Sequence, residues 1–323
     1  MRARGASPPP GFCHLEPRIT MIDMTRWVHP LQLGERRLLH PGPLRWLRAI
    51  GWALGLFFLV ALTSMTTAEV LGKALPKTSG AAQLAAHIVG ALVGLGVYAV
   101  AVRLAEGRWP SEIAWRPLLP QLGAGLLIGA AMFGAVMAVM AAFGLYEIRG
   151  LGAAPAWIAV GKAIQSGVVE EIMIRAVLLR LIWRAFGPWA AFALSAALFG
   201  FGHLPNPNAT VFAAVAIALE AGIMLGAFYA LTGRVWMSIG VHAAWNFTQG
   251  YLFGAAVSGG DFGPAIASSS ARPGFPEWLT GGAFGPEASL PALVVCTAVG
   301  VVVTGMAWRA GQFKTPTTQG LAL

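Results

Sequence analysis

Long apolar runs alternate with short polar segments through most of this chain. Eight runs stand out, at about 46–68, 81–104, 119–144, 154–184, 187–203, 208–231, 235–256 and 289–308. A helix rising about 1.5 Å per residue crosses a hydrocarbon core of about 30 Å in roughly 20 residues, the length of most of these runs. In hydrocarbon every backbone N–H and C=O needs an internal partner, and the runs are too long and continuous for barrel strands. The pattern therefore predicts an all-α fold, a polytopic transmembrane bundle of about eight helices.

The flanks read differently. Residues 1–44 are rich in Pro and Arg and lack the apolar core of a secretory signal, so they are expected as a disordered cytoplasmic N-terminal tail. Met21 and Met24 offer alternative translation starts within it. Residues 45–310 are expected as the membrane domain and 311–323 as a cytoplasmic C-terminal tail.

Composition sharpens the picture. Of 323 residues, 57% are apolar and 11% charged, outside the range of a soluble domain of this size. Lys and Arg outnumber Asp and Glu by 22 to 13, but they gather in short segments between apolar runs. No continuous basic stripe offers itself to a nucleic acid. The excess reads as topology instead. Arg2, Arg4, Arg18, Arg26, Arg36, Arg37, Arg45 and Arg48 precede the first run. Arg103, Arg108, Arg116, Arg175, Arg180, Arg184, Arg234, Arg309 and Lys314 fall toward the same side, against Lys73, Lys77 and Arg149 opposite. The positive-inside rule then puts both termini in the cytoplasm of a cell, expected to be bacterial, with the bundle in its inner membrane. Cys13 and Cys296 suggest neither a disulfide framework nor a thiolate metal site.

Ionisable groups inside apolar runs carry the chemistry. They stand in Gly167-Val-Val-Glu-Glu-Ile-Met-Ile-Arg175, Phe199-Gly-Phe-Gly-His203 and His242-Ala-Ala-Trp-Asn246. One Asp, Lys or Arg at a helix centre costs about 2.5–3.5 kcal/mol, so such a set must face itself or water. Glu171 and Arg175, four apart, share a helical face and can pair, while Glu170 points about 100° away and stays available. A partly desolvated Glu170 suits a general base. His242 and Asn246, also four apart, point an imidazole and an amide at one small volume, as oxyanion stabilisation requires. His203, at a helix end, can complete that volume. His87 reads as a histidine bonded to a neighbour, Lys162 as a residue snorkelling to the headgroups, and Phe199 as packing. Glu220, mid-helix, stays outside the expected site.

In order and spacing, Glu170-Glu171-x-x-x-Arg175, Phe199-x-x-x-His203 and His242-x-x-x-Asn246 resemble the CAAX prenyl protease and bacteriocin-processing family of intramembrane proteases. The resemblance covers about 154–254. It implies an intramembrane endopeptidase in which Glu170, helped by His203, activates the hydrolytic water. His242 and Asn246 would stabilise the oxyanion, and Glu171 with Arg175 would hold the site together. Ala176 stands where relatives often carry glycine, which touches only local helix packing.

Zinc is possible, since two His and two Glu could supply three ligands, but no His-Glu-x-x-His motif is present and a metal would duplicate roles already filled. The expectation is that no cofactor is required. The expected partners are the bilayer and a membrane-associated peptide or protein substrate, prenylated or not. Two readings from other classes stand beside this one: an ion-coupled transporter, for which no internal repeat speaks, and a non-catalytic membrane scaffold. The Gly-, Ser- and Pro-rich stretch 257–287 is either a cover over the site or a connector.

Overall fold

The computed structural model describes residues 27–313. Eight helical rods follow the eight apolar runs. They are α1 (Arg45–Ala74), α2 (Gly80–Ala105), α3 (Leu118–Ala142), and α4 (Trp157–Glu171), which continues through a π-helical stretch (Ile172–Leu179) into α5 (Arg180–Phe186). Next come α6 (Pro188–Phe201), and α7 (Val211–Ile217), which runs through a second π stretch (Ala218–Ile223) into α8 (Met224–Thr232). Last are α9 (Trp236–Phe247), ending in a third π stretch (Thr248–Leu252), the short α10 (Glu277–Thr280), and α11 (Leu290–Arg309).

Among the described residues five rods are long and apolar enough to cross a membrane: α1, α2, α3, the composite Val211–Thr232, and α11. The α4–α5 rod misses that description because it carries Glu170, Glu171, Arg175, Arg180 and Arg184, and α6 because it is only 14 residues long. Only 28% of the apolar window of α1, 28% of α2 and 33% of α11 is covered by protein. What remains outward is apolar, with Leu62 70% and Leu127 75% exposed, a surface suited to lipid. The chain is a multi-pass membrane protein.

Packing of α3 on α9 sets the depth of the site. Gly125 and Gly129, one helical turn apart, face the α9 backbone. A β-carbon on Gly125 would stand 2.3 Å from the Met237 carbonyl oxygen, and one on Gly129 would stand 2.2 Å from that of Val241. Small residues at this spacing let two membrane helices touch along their backbones, so even alanine would push α9 away. His242 and Asn246 lie on the helix held this way.

Three features depart from the sequence expectations. Residues 27–44, expected within a disordered tail, pack on the membrane domain. Leu39 is fully buried, Arg180 Nη1 donates to the Leu33 carbonyl at 3.3 Å, and Arg184 bonds the Leu39 carbonyl. The remainder of that tail, with Met21, Met24 and Cys13, lies outside the described residues, as do residues 314–323. Of the expected C-terminal tail, Phe313 stacks on Trp183 and Trp189. Second, a two-stranded antiparallel ribbon joins β1 (Tyr146–Gly150) to β2 (Ala267–Ala271), with Tyr146 opposite Ala271. Third, Arg175 and Arg180, counted as loop charges, are fully buried and ion-paired. Neither can report on membrane topology. Exposed Arg36, Arg37, Arg45, Arg103, Arg116 and Arg309 still face one side, against Lys73, Lys77, Arg149 and Arg272 on the other.

Candidate active site

All six expected residues converge where α4, α6 and α9 meet. At the centre is Glu171, fully buried, whose Oε1 accepts from Arg175 Nη1 at 2.9 Å and from His242 Nδ1 at 2.9 Å. A carboxylate only accepts, so His242 carries a proton on Nδ1 and directs Nε2 away from Glu171. Among the described residues Glu171 Oε2 and Arg175 Nε have no partner, so this cluster is not closed on itself.

Arg175 ties the motif to two other rods. Its Nη2 donates to the Ala221 carbonyl at 2.8 Å, within the second π stretch, and its guanidinium lies over the Phe199 ring at 4.7 Å. Phe199 in turn meets the rings of His203 (4.9 Å) and His242 (6.2 Å) edge to face. The residue expected to pack therefore does so against the site's own side chains. π stretches disrupt the regular i→i−4 ladder, and here all three adjoin site residues: after Glu171, around Glu220 and just after Asn246.

Glu170 diverges from its neighbour as the helical spacing predicts. Its side chain is 32% exposed, and it lines a recess with Met65, Lys162, Gln165, Ser166, Val169 and Phe262. Its Oε2 stands 3.8 Å from His242 Nε2, too far for a direct hydrogen bond and open to a bridging water. His203, His242 and Asn246 line a second cavity. His203 Nδ1 donates to the Phe199 carbonyl at 2.7 Å, leaving its Nε2 uncommitted. Of the two histidines, His242 is the one that stands near Glu170. Asn246 shares the cavity with His242 as expected, and its Nδ2 donates to Ser166 Oγ at 3.0 Å.

Four further side chains belong to this region. Ser166 holds the Asn246 amide. Glu220 lines the His203 cavity from the second π stretch, and Ser258 and Glu287 reach it from opposite ends of the 257–287 loop. Glu287 Oε1 accepts from the Ser258 N–H at 2.6 Å and its hydroxyl at 2.9 Å. Burial pushes the Glu287 carboxyl up, partly offset by these bonds and by His203. The loop also borders the Glu170 recess, where Lys162 Nζ donates to the Asp261 carbonyl at 2.7 Å and stands over the Phe262 ring. Lys162 thus anchors the loop. His87 is bonded to Gln165, the neighbour-bonded role expected of it.

Among the described residues, no three His, Cys, Asp or Glu side chains are arranged to hold a metal ion. Glu171 Oε1 and His242 Nδ1 are spent on each other.

Neither the curated proteins nor the solved structures hold a significant match to this chain. A protein-family model does match, over residues 152–248: the type II CAAX prenyl endopeptidase Rce1-like family. That segment runs from just before α4 to the end of α9 and contains every one of the six residues above. The match supports an intramembrane endopeptidase in general terms. Residues 152–248 are thus similar to the type II CAAX prenyl endopeptidase Rce1-like family, within a multi-pass membrane chain.

Proposed function

We propose that the chain hydrolyses a peptide bond of a membrane-associated protein or peptide, with Glu170 as the base that activates water. The observation that carries this reading is the division of labour between adjacent carboxylates. Glu171 is saturated on one oxygen by Arg175 and His242, while Glu170 faces an open recess with its Oε2 3.8 Å from His242 Nε2. A water between Glu170 and His242 would give up its proton to Glu170 as it attacks the carbonyl.

The developing oxyanion then needs donors. Asn246 Nδ2, held by Ser166, is one, and His242 is the second when its ring carries a proton on both nitrogens and donates through Nε2. Glu171 fixes the ring for that role, and Arg175 fixes Glu171. His203, with Nε2 free, handles the proton that must reach the leaving amine. Both recesses are lined by helices of a membrane bundle, which suits a substrate presented at or in the bilayer, and we place that bundle in the inner membrane with both termini cytoplasmic. No metal is needed for any step. About one equivalent of bound zinc, lost together with activity on chelation, would overturn that point.

The test is a comparison of new protein N-termini, by mass spectrometry, in membranes of cells carrying the wild-type chain or Glu170→Gln at matched expression. Termini found only with wild type are expected. Identical sets would favour a scaffold or transporter over a protease.

A further inference from the structure

The cavity lined by His203, His242 and Asn246 holds two carboxylates that the proposed hydrolysis does not use. Glu220 is only 2% exposed and lines the cavity, and among the described residues its Oε2 has no hydrogen-bond partner. Glu287 enters from the loop, buried, with Oε1 held by Ser258. Among the described residues no Lys or Arg lines this cavity, and the rest of its wall is mostly apolar, including Ile217, Met224, Leu225 and Val241. An unpartnered acceptor at such depth costs free energy unless a donor arrives from outside. A deep recess with apolar walls and acidic groups matches the stem and head of a basic side chain, whose methylenes pack while its ammonium or guanidinium meets the carboxylates.

Resting on the endopeptidase reading, we infer that Glu220 and Glu287 form a specificity subsite for a Lys or Arg side chain of the substrate beside the scissile bond. The second π stretch carries Glu220 and also receives Arg175, so the subsite and the proposed catalytic cluster are held by one element. Glu287 comes from the 257–287 loop, so loop docking would complete the subsite together with the cover over Glu170.

The experiment uses the purified full chain in lipid nanodiscs and a set of membrane-anchored peptides differing only by Lys, Arg, Met or Glu at each position around the cleaved bond. Cleavage is read by mass spectrometry as kcat/KM. At one position wild type is expected to favour Lys or Arg over Met by about tenfold or more, the scale of a charge-assisted hydrogen bond. Glu220→Gln and Glu287→Gln are each expected to bring that ratio below about threefold. The ratio is read within each variant, so a general loss of activity does not mimic lost selectivity. Should either variant be inactive, n-butylamine serves as probe on wild type, where it is expected to inhibit cleavage of the Lys peptide competitively. A wild-type enzyme that cleaves without basic preference, a preference unchanged in both variants, or no competition by the amine would overturn the subsite. Cleavage of no peptide in the set, by wild type as by Glu170→Gln, would overturn the endopeptidase reading itself.

Discussion

Two buried ionic clusters in this protein differ in how fully they are closed. The first lies at the α2–α3 connection, where Glu106 and Glu112 meet Arg108 and Arg180. Arg180 grips both oxygens of Glu106 at 2.6 and 3.0 Å, and Arg108 grips both oxygens of Glu112 at 2.9 and 2.7 Å. Arg108 Nε adds a bond to Glu106 at 2.7 Å, Trp52 Nε1 adds another at 3.0 Å, and Tyr98 bonds Glu112. Two cations balance two anions, and every carboxylate oxygen is used. In the second cluster, one guanidinium, Arg175, pairs with Glu171 alone; Glu170, Glu220 and Glu287 have no Arg or Lys partner among the described residues, and several atoms stay unpartnered. The first cluster closes on itself and holds the fold; the second leaves capacity unused and faces two recesses. Burial of charge alone does not mark a site. Unsatisfied charge beside open space does.

The comparison yields effects that separate the two regions. The largest expected change is in turnover: Glu170→Gln should lower kcat by at least 10²–10⁴-fold, since it removes the proposed base, while leaving melting almost unchanged because that side chain is part exposed. Asn246→Ala should cost about 10²–10³ in kcat by removing one oxyanion donor, measured on the same substrate. Arg180→Met should show the reverse profile. It strands Glu106 without its main cation and should cost about 3–5 kcal/mol of stability in a denaturation series, with turnover per folded molecule retained. Ser166→Ala, which frees the Asn246 amide, should lower kcat less than Asn246→Ala does, with recovery in Ser166→Thr.

The smallest predicted effect concerns pH, and its sign differs between the regions. Burial alone would raise Glu106 and Glu112, but Arg180 and Arg108 outweigh it and hold both below the ordinary value of 4.5. Their contribution to stability is therefore present above about pH 4.5 and lost as pH falls through the lower folded values. Glu287 is raised by burial, so its contribution is present below 4.5 and lost as pH rises through its higher folded value. Melting profiles of Glu106→Gln should accordingly lose acid sensitivity, whereas those of Glu287→Gln should gain stability mainly on the neutral side.

Much of this was legible in the sequence because the bilayer imposes harsh rules. Apolar runs of helical length had to be helices, and Glu171 with Arg175, or His242 with Asn246, had to share faces because four residues make about one turn. The closed cluster was not legible. Arg180 meets Glu106 across 74 residues, and no local pattern announces that pairing. For the same reason residues 27–44 read as a tail: their anchors are backbone carbonyls of Leu33 and Leu39, which leave no mark on composition. Glu220 was visible as a mid-helix carboxylate, but only the π stretch and the loop bearing Glu287 bring the two into one cavity with His203. Spacing likewise says which face Glu170 takes but not which histidine stands nearest it, and here that is His242.

The most direct test measures turnover and thermal melting of Glu170→Gln and Arg180→Met side by side, in nanodiscs, on a substrate identified from the wild-type N-termini. The account predicts that Glu170→Gln melts like wild type but does not cleave, while Arg180→Met melts well below wild type and cleaves normally per folded molecule. A Glu170→Gln protein that still cleaves at more than about a tenth of the wild-type rate would contradict it.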